Sequence, residues 1–287
     1  MRSQLHFLFT SLCLAFISLG LADAAMSDEP MFRAGAATSN ITPPIGSGST
    51  VRSSKRQATH VHDELRARCL VLDDGQAKLA LVVCDLRHIS AEVVVSAKQI
   101  IQRTTGIPPE CVMVSATHTH TSTGAKLEER EGEPYYDYRA FLTRRIAEGV
   151  LRAVNQLAPA RIGWGVAEEP TQVFNRRWFL MPSRGTIYGA HDNIEQVDTN
   201  PGYSGLLRPA GPVDPQITFL SVQSTAGRPI ALLASYGLHY VGGVPANTIS
   251  ADYFAIFADR VGELLGADRY QDPPFVGIMA NGTSGDV

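Results

Sequence analysis

Leu79-Ala80-Leu81-Val82-Val83-Cys84, then Ala91 to Thr105, then Cys111-Val112-Met113-Val114-Ser115-Ala116: the reading of this stretch decides the fold. A short uninterrupted apolar run is the mark of a strand covered on both faces. The middle piece carries Val94, Ala97, Ile100 and Ile101 at helical spacing, and Gly106 with Pro108-Pro109 ends it. Two buried strands separated by one helix predict a parallel, right-handed strand–helix–strand unit. Outward from it, Tyr138 to Leu157 is a long amphipathic helix with Phe141, Leu142, Ile146, Val150, Val154 and Leu157 on one stripe. Arg161 to Ala167 reads as a strand. Ile217–Gln223 and Pro229–Tyr236 read as neighbouring strands joined at Thr225-Ala226-Gly227-Arg228. Asp252 to Leu265 is helical in pattern, and Phe275 to Ala280 is a final strand. Between them, Ile41 to Thr50 is a Pro/Gly/Ser loop, and Phe174 to Pro215 is a long irregular excursion of the kind that walls a site. The class is α/β, with a mixed multi-layer β-sheet core flanked by helices.

The first residues carry an export pattern. Arg2 is followed by the apolar stretch Phe7 to Leu21 and the small-residue triplet Ala22-Asp23-Ala24. The apolar run is shorter than the ~20 residues that cross a bilayer, which favours a cleaved signal over an anchor. The expected organisation is a signal peptide over 1–24, a flexible leader over 25–35 and one domain over 36–287. No transmembrane segment is expected after cleavage. Net charge is -3, and Lys and Arg never run longer than pairs such as Arg144-Arg145, so no nucleic-acid partner is expected. Cys69, Cys84 and Cys111 lie in apolar, strand-like stretches and read as buried small residues, without a disulfide framework or CxxC spacing.

Chemistry concentrates at strand ends. Thr117-His118-Thr119-His120-Thr121 follows directly on the second buried strand. Ligand sites in α/β folds gather beyond the carboxyl ends of strands. If the strand continues, residues two apart project to one side, so His118 and His120 converge. Neutral imidazole suits zinc, and flanking threonine hydroxyls are candidates to orient the rings. The alternative is a pair of histidines that only stabilise a strand end. His239, in Gly237-Leu238-His239-Tyr240, sits after another strand and tips the balance towards a metal site. The tail Asn281-Gly282-Thr283-Ser284-Gly285-Asp286-Val287 is either a turn presenting a nucleophile or oxyanion donors, or a plain strand-to-helix loop.

Taken in chain order, these pieces resemble the neutral (non-lysosomal, alkaline) ceramidase family. The resemblance runs through Ala36-Ala37-Thr38-Ser39-Asn40-Ile41-Thr42-Pro43-Pro44, the segment His62 to Leu72, Ser115-Ala116-Thr117-His118-Thr119-His120-Thr121, Asn175-Arg176, His239, Ser250-Ala251-Asp252-Tyr253 and Gly285-Asp286-Val287. It covers nearly all of residues 36–287, and the THTH and GDV elements are its specific parts. It implies a zinc-dependent hydrolase of N-acyl linkages that releases a fatty acid and an amine from a lipid-like substrate. Metal ligands would be His118 and His239. His120 would lie at the reacting centre, Arg176 would hold substrate, and Asn175, Gly285 and Asp286 would form substrate-contact or turn elements. The family's nucleophilic Ser would be the next residue after Val287, and its Glu and Tyr zinc ligands would lie further on, so the domain is expected to be incomplete at its carboxyl end. Departures from the family pattern are Thr121 for Ser, Tyr240 for Pro and Arg177 for Ser. They point to a divergent relative. Rival readings are a zinc hydrolase of another ester or amide, and an inactive secreted binding module of the same fold.

Overall fold

The computed structural model describes residues 31–45, 50–51, 56–123, 137–181, 197–202, 205–240 and 242–287. Residues 31–287 form one unit. The signal peptide expected over 1–24 lies outside the described residues, as does the leader up to Pro30. Of the rest of that leader, Arg33 to Gly35 already belong to a strand, which begins at Arg33.

The principal strands are β1 (Arg33–Asn40), β2 (Arg66–Asp73), β3 (Lys78–Cys84), β4 (Val112–Ala116), β5 (Ala158–Glu168), β6 (Gln216–Ser224), β7 (Pro229–Tyr236) and β8 (Val276–Asn281). They form one eight-stranded sheet in the order β8-β7-β6-β5-β1-β2-β3-β4. Two pairs are parallel, β3–β4 and β7–β8, and the rest are antiparallel. The helices are α1 (Ala91–Thr105), α2 (Tyr138–Asn155) and α3 (Tyr253–Leu264).

Side-chain alternation shows why this sheet becomes two layers. On β2 and β3, Cys69, Val71, Ala80, Val82 and Cys84 pack with Val93, Ala97 and Ile101 of α1 and Leu142, Ile146 and Val150 of α2. The intervening Leu70, Leu81 and Val83 point the other way. There they meet Ala231 and Leu233 of β7 and Val276, Ile278 and Ala280 of β8. The opposite face of β7 and β8, through Leu232, Ala234 and Met279, packs on Phe254, Phe257 and Val261 of α3. The sheet therefore folds over at β5, which touches β1 only through Ala158 and Pro159 and pairs with β6 along the rest of its length. The layers run helix, strand, strand, helix. Each strand of a β3 or β7 type is apolar on both faces because both faces are inside, and each fully buried Val, Leu or Ile contributes about 1.5–3 kcal/mol.

Local signals hold at the element ends. Ser90 caps α1 by accepting from the Val93 N–H, and Gly106, at φ 76°, closes it with its N–H on the Gln102 carbonyl. Asp137 caps α2 through Ala140 N–H at 3.0 Å. Two readings need correction. The core stripe of α1 runs through Val93, Ala97 and Ile101, with Val94 turned further out. Strand β4 is not buried on both faces: it is the sheet edge, and Met113 is exposed. The irregular excursion also contains a small three-stranded sheet, Arg177–Leu180 between Val197–Thr199 and Leu206–Pro209.

Candidate metal centre

Both parallel pairs end on the same side of the sandwich, and the histidines lie there. After β4, Thr117 N–H bonds Cys84 O and His118 N–H bonds Leu86 O, each at 2.9 Å, so the chain still follows the end of β3. It is no longer extended, however. His118 has φ 65°, a left-handed conformation that costs a non-glycine residue of order 1–3 kcal/mol. The two histidines thus converge through a kink in the backbone and not through strand alternation. His239 arrives from beyond β7.

Among the described residues, His118, His120 and His239 are a cluster of metal-ligating groups. The Nε2 of His120 lies 3.2 Å from that of His118 and 3.3 Å from that of His239. The three rings stand nearly perpendicular to one another, at 72–79°, so edges meet and not faces. Zinc–nitrogen bonds of 2.0–2.1 Å at tetrahedral angles require about 3.4 Å between ligand nitrogens. The donor set fits the metal that the sequence suggested.

The ring tautomers fit as well. His118 Nδ1 is 2.8 Å from the Arg87 carbonyl, and His239 Nδ1 is 3.0 Å from the Ser284 carbonyl. A carbonyl only accepts, so in the neutral rings Nδ1 carries the proton and Nε2 keeps its lone pair for the cluster. Burial pushes the His239 imidazole below its ordinary range; the charges of Arg176 and His118 add to this, and the bond to Ser284 only partly opposes it. The ring is thereby kept in the neutral form that binds metal. The orienting partners are thus backbone carbonyls. The threonines expected to hold the rings do something else: Thr119 and Thr121 are buried, Thr119 donates its hydroxyl proton to the Asp252 carboxylate, and Thr121 donates to the Ser250 carbonyl at 2.9 Å.

Arg176 is drawn to the same place. Its backbone N–H bonds the Asp286 carbonyl at 2.7 Å, and its guanidinium donates to the Gly285 carbonyl at 2.5 Å. Its Nε is buried with no partner. Asn175 faces inward: its amide donates to Pro212 O at 3.1 Å, and its Oδ1 accepts from Arg177 N–H at 2.9 Å. Asp286 pairs with Arg177 at 2.9 Å. Residues Ser284 to Asp286 thus act through their carbonyls, gathering His239 and Arg176 onto one short helical turn.

With this geometry in place, the comparisons add a fold. The chain superimposes on the crystal structure of a neutral ceramidase from Pseudomonas aeruginosa with a TM-score of 0.64 over 90% of its length, at 19% identity. It also superimposes on a ceramidase complexed with C2, with a TM-score of 0.63 over 89%, again at 19% identity. It spans 39% and 38% of those two chains. No protein-family model and no curated protein matches it. The likeness is one of fold.

Sequence reasoning missed the Asp252 carboxylate as a partner of the histidine loop, and it missed Asp63, which accepts from Ser250 Oγ at 2.5 Å and Ala251 N–H at 2.7 Å. The alternation of threonine with histidine was the available signal. A buried hydroxyl needs an acceptor for its proton, and the run of residues 117–121 contains no carboxylate to supply one for Thr119. No helix of the described residues is long and apolar enough to cross a membrane.

Proposed function

We propose that this protein is an exported zinc-dependent hydrolase of N-acyl linkages, acting on a lipid-like substrate at or near a membrane surface. The observation that carries the reading is the convergence of three imidazoles: the His120 Nε2 lies at ligand spacing from the Nε2 of both His118 and His239, and the ligand atoms of all three fall within 4.8 Å of one another. The ceramidase fold supports the substrate class. The signal-like amino terminus supports export.

His118 and His239 would hold the metal, since both have Nδ1 committed to carbonyls. The chemistry a zinc ion supplies at such a site is polarisation of a carbonyl and acidification of water to a pKa of about 7. His120, in the same cluster, carries protons to and from the reacting group. Arg176, with a buried donor lacking any partner, stabilises negative charge developing on the substrate oxygen. Asn175, Gly285 and Asp286 shape the turn that presents Arg176 and His239. The spacing also suits His120 as a third ligand.

The test uses the protein as its host produces it, stripped of metal and reconstituted with zinc. Fatty-acid release is measured from an N-acyl sphingoid, a short N-acyl amide and an acyl ester. Zinc-dependent turnover is expected, with the N-acyl sphingoid preferred. His118→Ala and His239→Ala should lose bound zinc, while Arg176→Ala should keep it and lose turnover by about 10²–10³-fold. His120→Ala that keeps zinc but not turnover supports proton transfer, and loss of zinc makes it a ligand. Stoichiometric zinc and unchanged turnover in His118→Ala would refute the site. Zinc binding without turnover on any substrate would leave a binding module of this fold.

A further inference from the structure

Asp252 stands at the start of α3, where an aspartate ordinarily turns its carboxylate to the helix N–H groups. This one makes no such cap. Its backbone sits at φ 55°, ψ -147°, next to a region that is essentially reserved for glycine. Its side chain is buried and accepts the hydroxyl of Thr119, which lies between the two histidines of the loop and is itself fully buried. Thr119 and Thr121 hydroxyls are 3.1 Å apart. The two segments are then laced by backbone and side chain, Ser250 N–H to Thr121 O at 3.0 Å and Thr121 hydroxyl to Ser250 O at 2.9 Å, while within its own segment Asp252 N–H bonds Ser250 Oγ at 2.9 Å. His118 is the strained residue on one side of this seam and Asp252 the strained residue on the other.

We propose that Asp252 is a positioning residue for the metal centre, holding the His118-Thr119-His120 loop in its kinked conformation through the Thr119 hydroxyl. A kink that projects both imidazoles to one point is not the conformation His118 would adopt unaided. A bond from the intervening residue to a buried, fixed carboxylate supplies the restraint. The carboxylate gives up helix capping and an ordinary backbone conformation, which a merely structural N-cap has no reason to do. The inference deepens the zinc reading, and on zinc affinity it rests on that reading. The restraint on the rings can be measured without metal.

Thr119→Val keeps the side-chain shape and removes the hydroxyl. Thr119→Ser keeps the hydroxyl. Asp252→Asn removes the charge. Zinc affinity is measured by chelator competition, and ¹⁵N NMR of the histidine rings is recorded on the metal-free proteins. Thr119→Val and Asp252→Asn should each weaken zinc by about 10–100-fold and alter the ring ¹⁵N pattern of His118 and His120, and Thr119→Ser should restore both. Wild-type affinity and ring pattern in Thr119→Val overturn the proposal, as does a Thr119→Ser that behaves like Thr119→Val. If the unmodified protein binds no zinc, the metal reading falls, and the ring pattern of the two Thr119 variants still decides whether the hydroxyl sets the loop.

Discussion

Replacing His118 or His239 by alanine should erase a zinc-dependent gain in thermal stability, and the size of that gain can be worked out in advance. The Nε2 separations from His120 to His118 and His239, 3.2 and 3.3 Å, fall short of the tetrahedral spacing of about 3.4 Å by one or two tenths of an ångström. Two of the rings are already held by carbonyls in the ligand-ready tautomer. Little binding free energy is therefore spent on rearrangement. The residues come from stretches 119 positions apart, so the unfolded chain has no such site and binding acts on the folded state. At free zinc a hundredfold above the dissociation constant the stabilisation is about 2.7 kcal/mol. For a unit of this size that raises Tm by about 5–11 °C. Scanning calorimetry with buffered zinc, against chelator, reads it directly. Both alanine variants should melt at the same temperature with and without zinc. An equal zinc-induced shift in wild type and in His118→Ala would refute the reasoning, because the ion would then be bound elsewhere.

Two further predictions concern the scaffold beneath the site. Gly35 of β1 lies against α2 so closely that a Cβ there would be 2.1 Å from the Ala153 carbonyl oxygen, so Gly35→Ala should cost about 3 kcal/mol or more, read as a lowered denaturant midpoint. At Asp73, burial pushes the carboxyl upward, but the Gly75 N–H with the Arg33 and Lys78 charges outweighs this and holds it below its ordinary 3.8. The unfolded chain then binds more protons across that window, so the contribution is whole above about pH 3.8 and is lost as pH falls through the lower folded value. Asp73→Asn should be less stable than wild type by about 1–3 kcal/mol near neutrality, with the gap closing in acid; a gap that does not change with pH contradicts it.

Much of the architecture was legible because several strands, β2, β3, β7 and β8 among them, are apolar on both faces. Helix α1 was read to its residue limits, and the β6–β7 pair and its turn were read from composition alone. The edge position of β4 was not legible, since an apolar run does not say what lies beside it. Nor was the small sheet from Arg177 to Pro209, whose strands are too short and too interrupted to show a period.

The site divides in the same way. His118 and His120 announced themselves by spacing, and His239 by its place after a strand. Residue types and their periodicity were enough to name the side chains available, the strands that deliver them, and the carboxyl ends at which they stand. The folded chain was needed to show that His239 meets them, that Ser284 and Arg87 carbonyls set the ring tautomers, and that Asp252 accepts a hydrogen bond from the Thr119 hydroxyl across 133 positions of chain. The physical reason is that periodicity is a local property. Contact between distant segments is fixed by the folding-over of the sheet, which buries Leu70, Val83, Ala231 and Ile278 in one shared interior and stacks the two parallel pairs face to face.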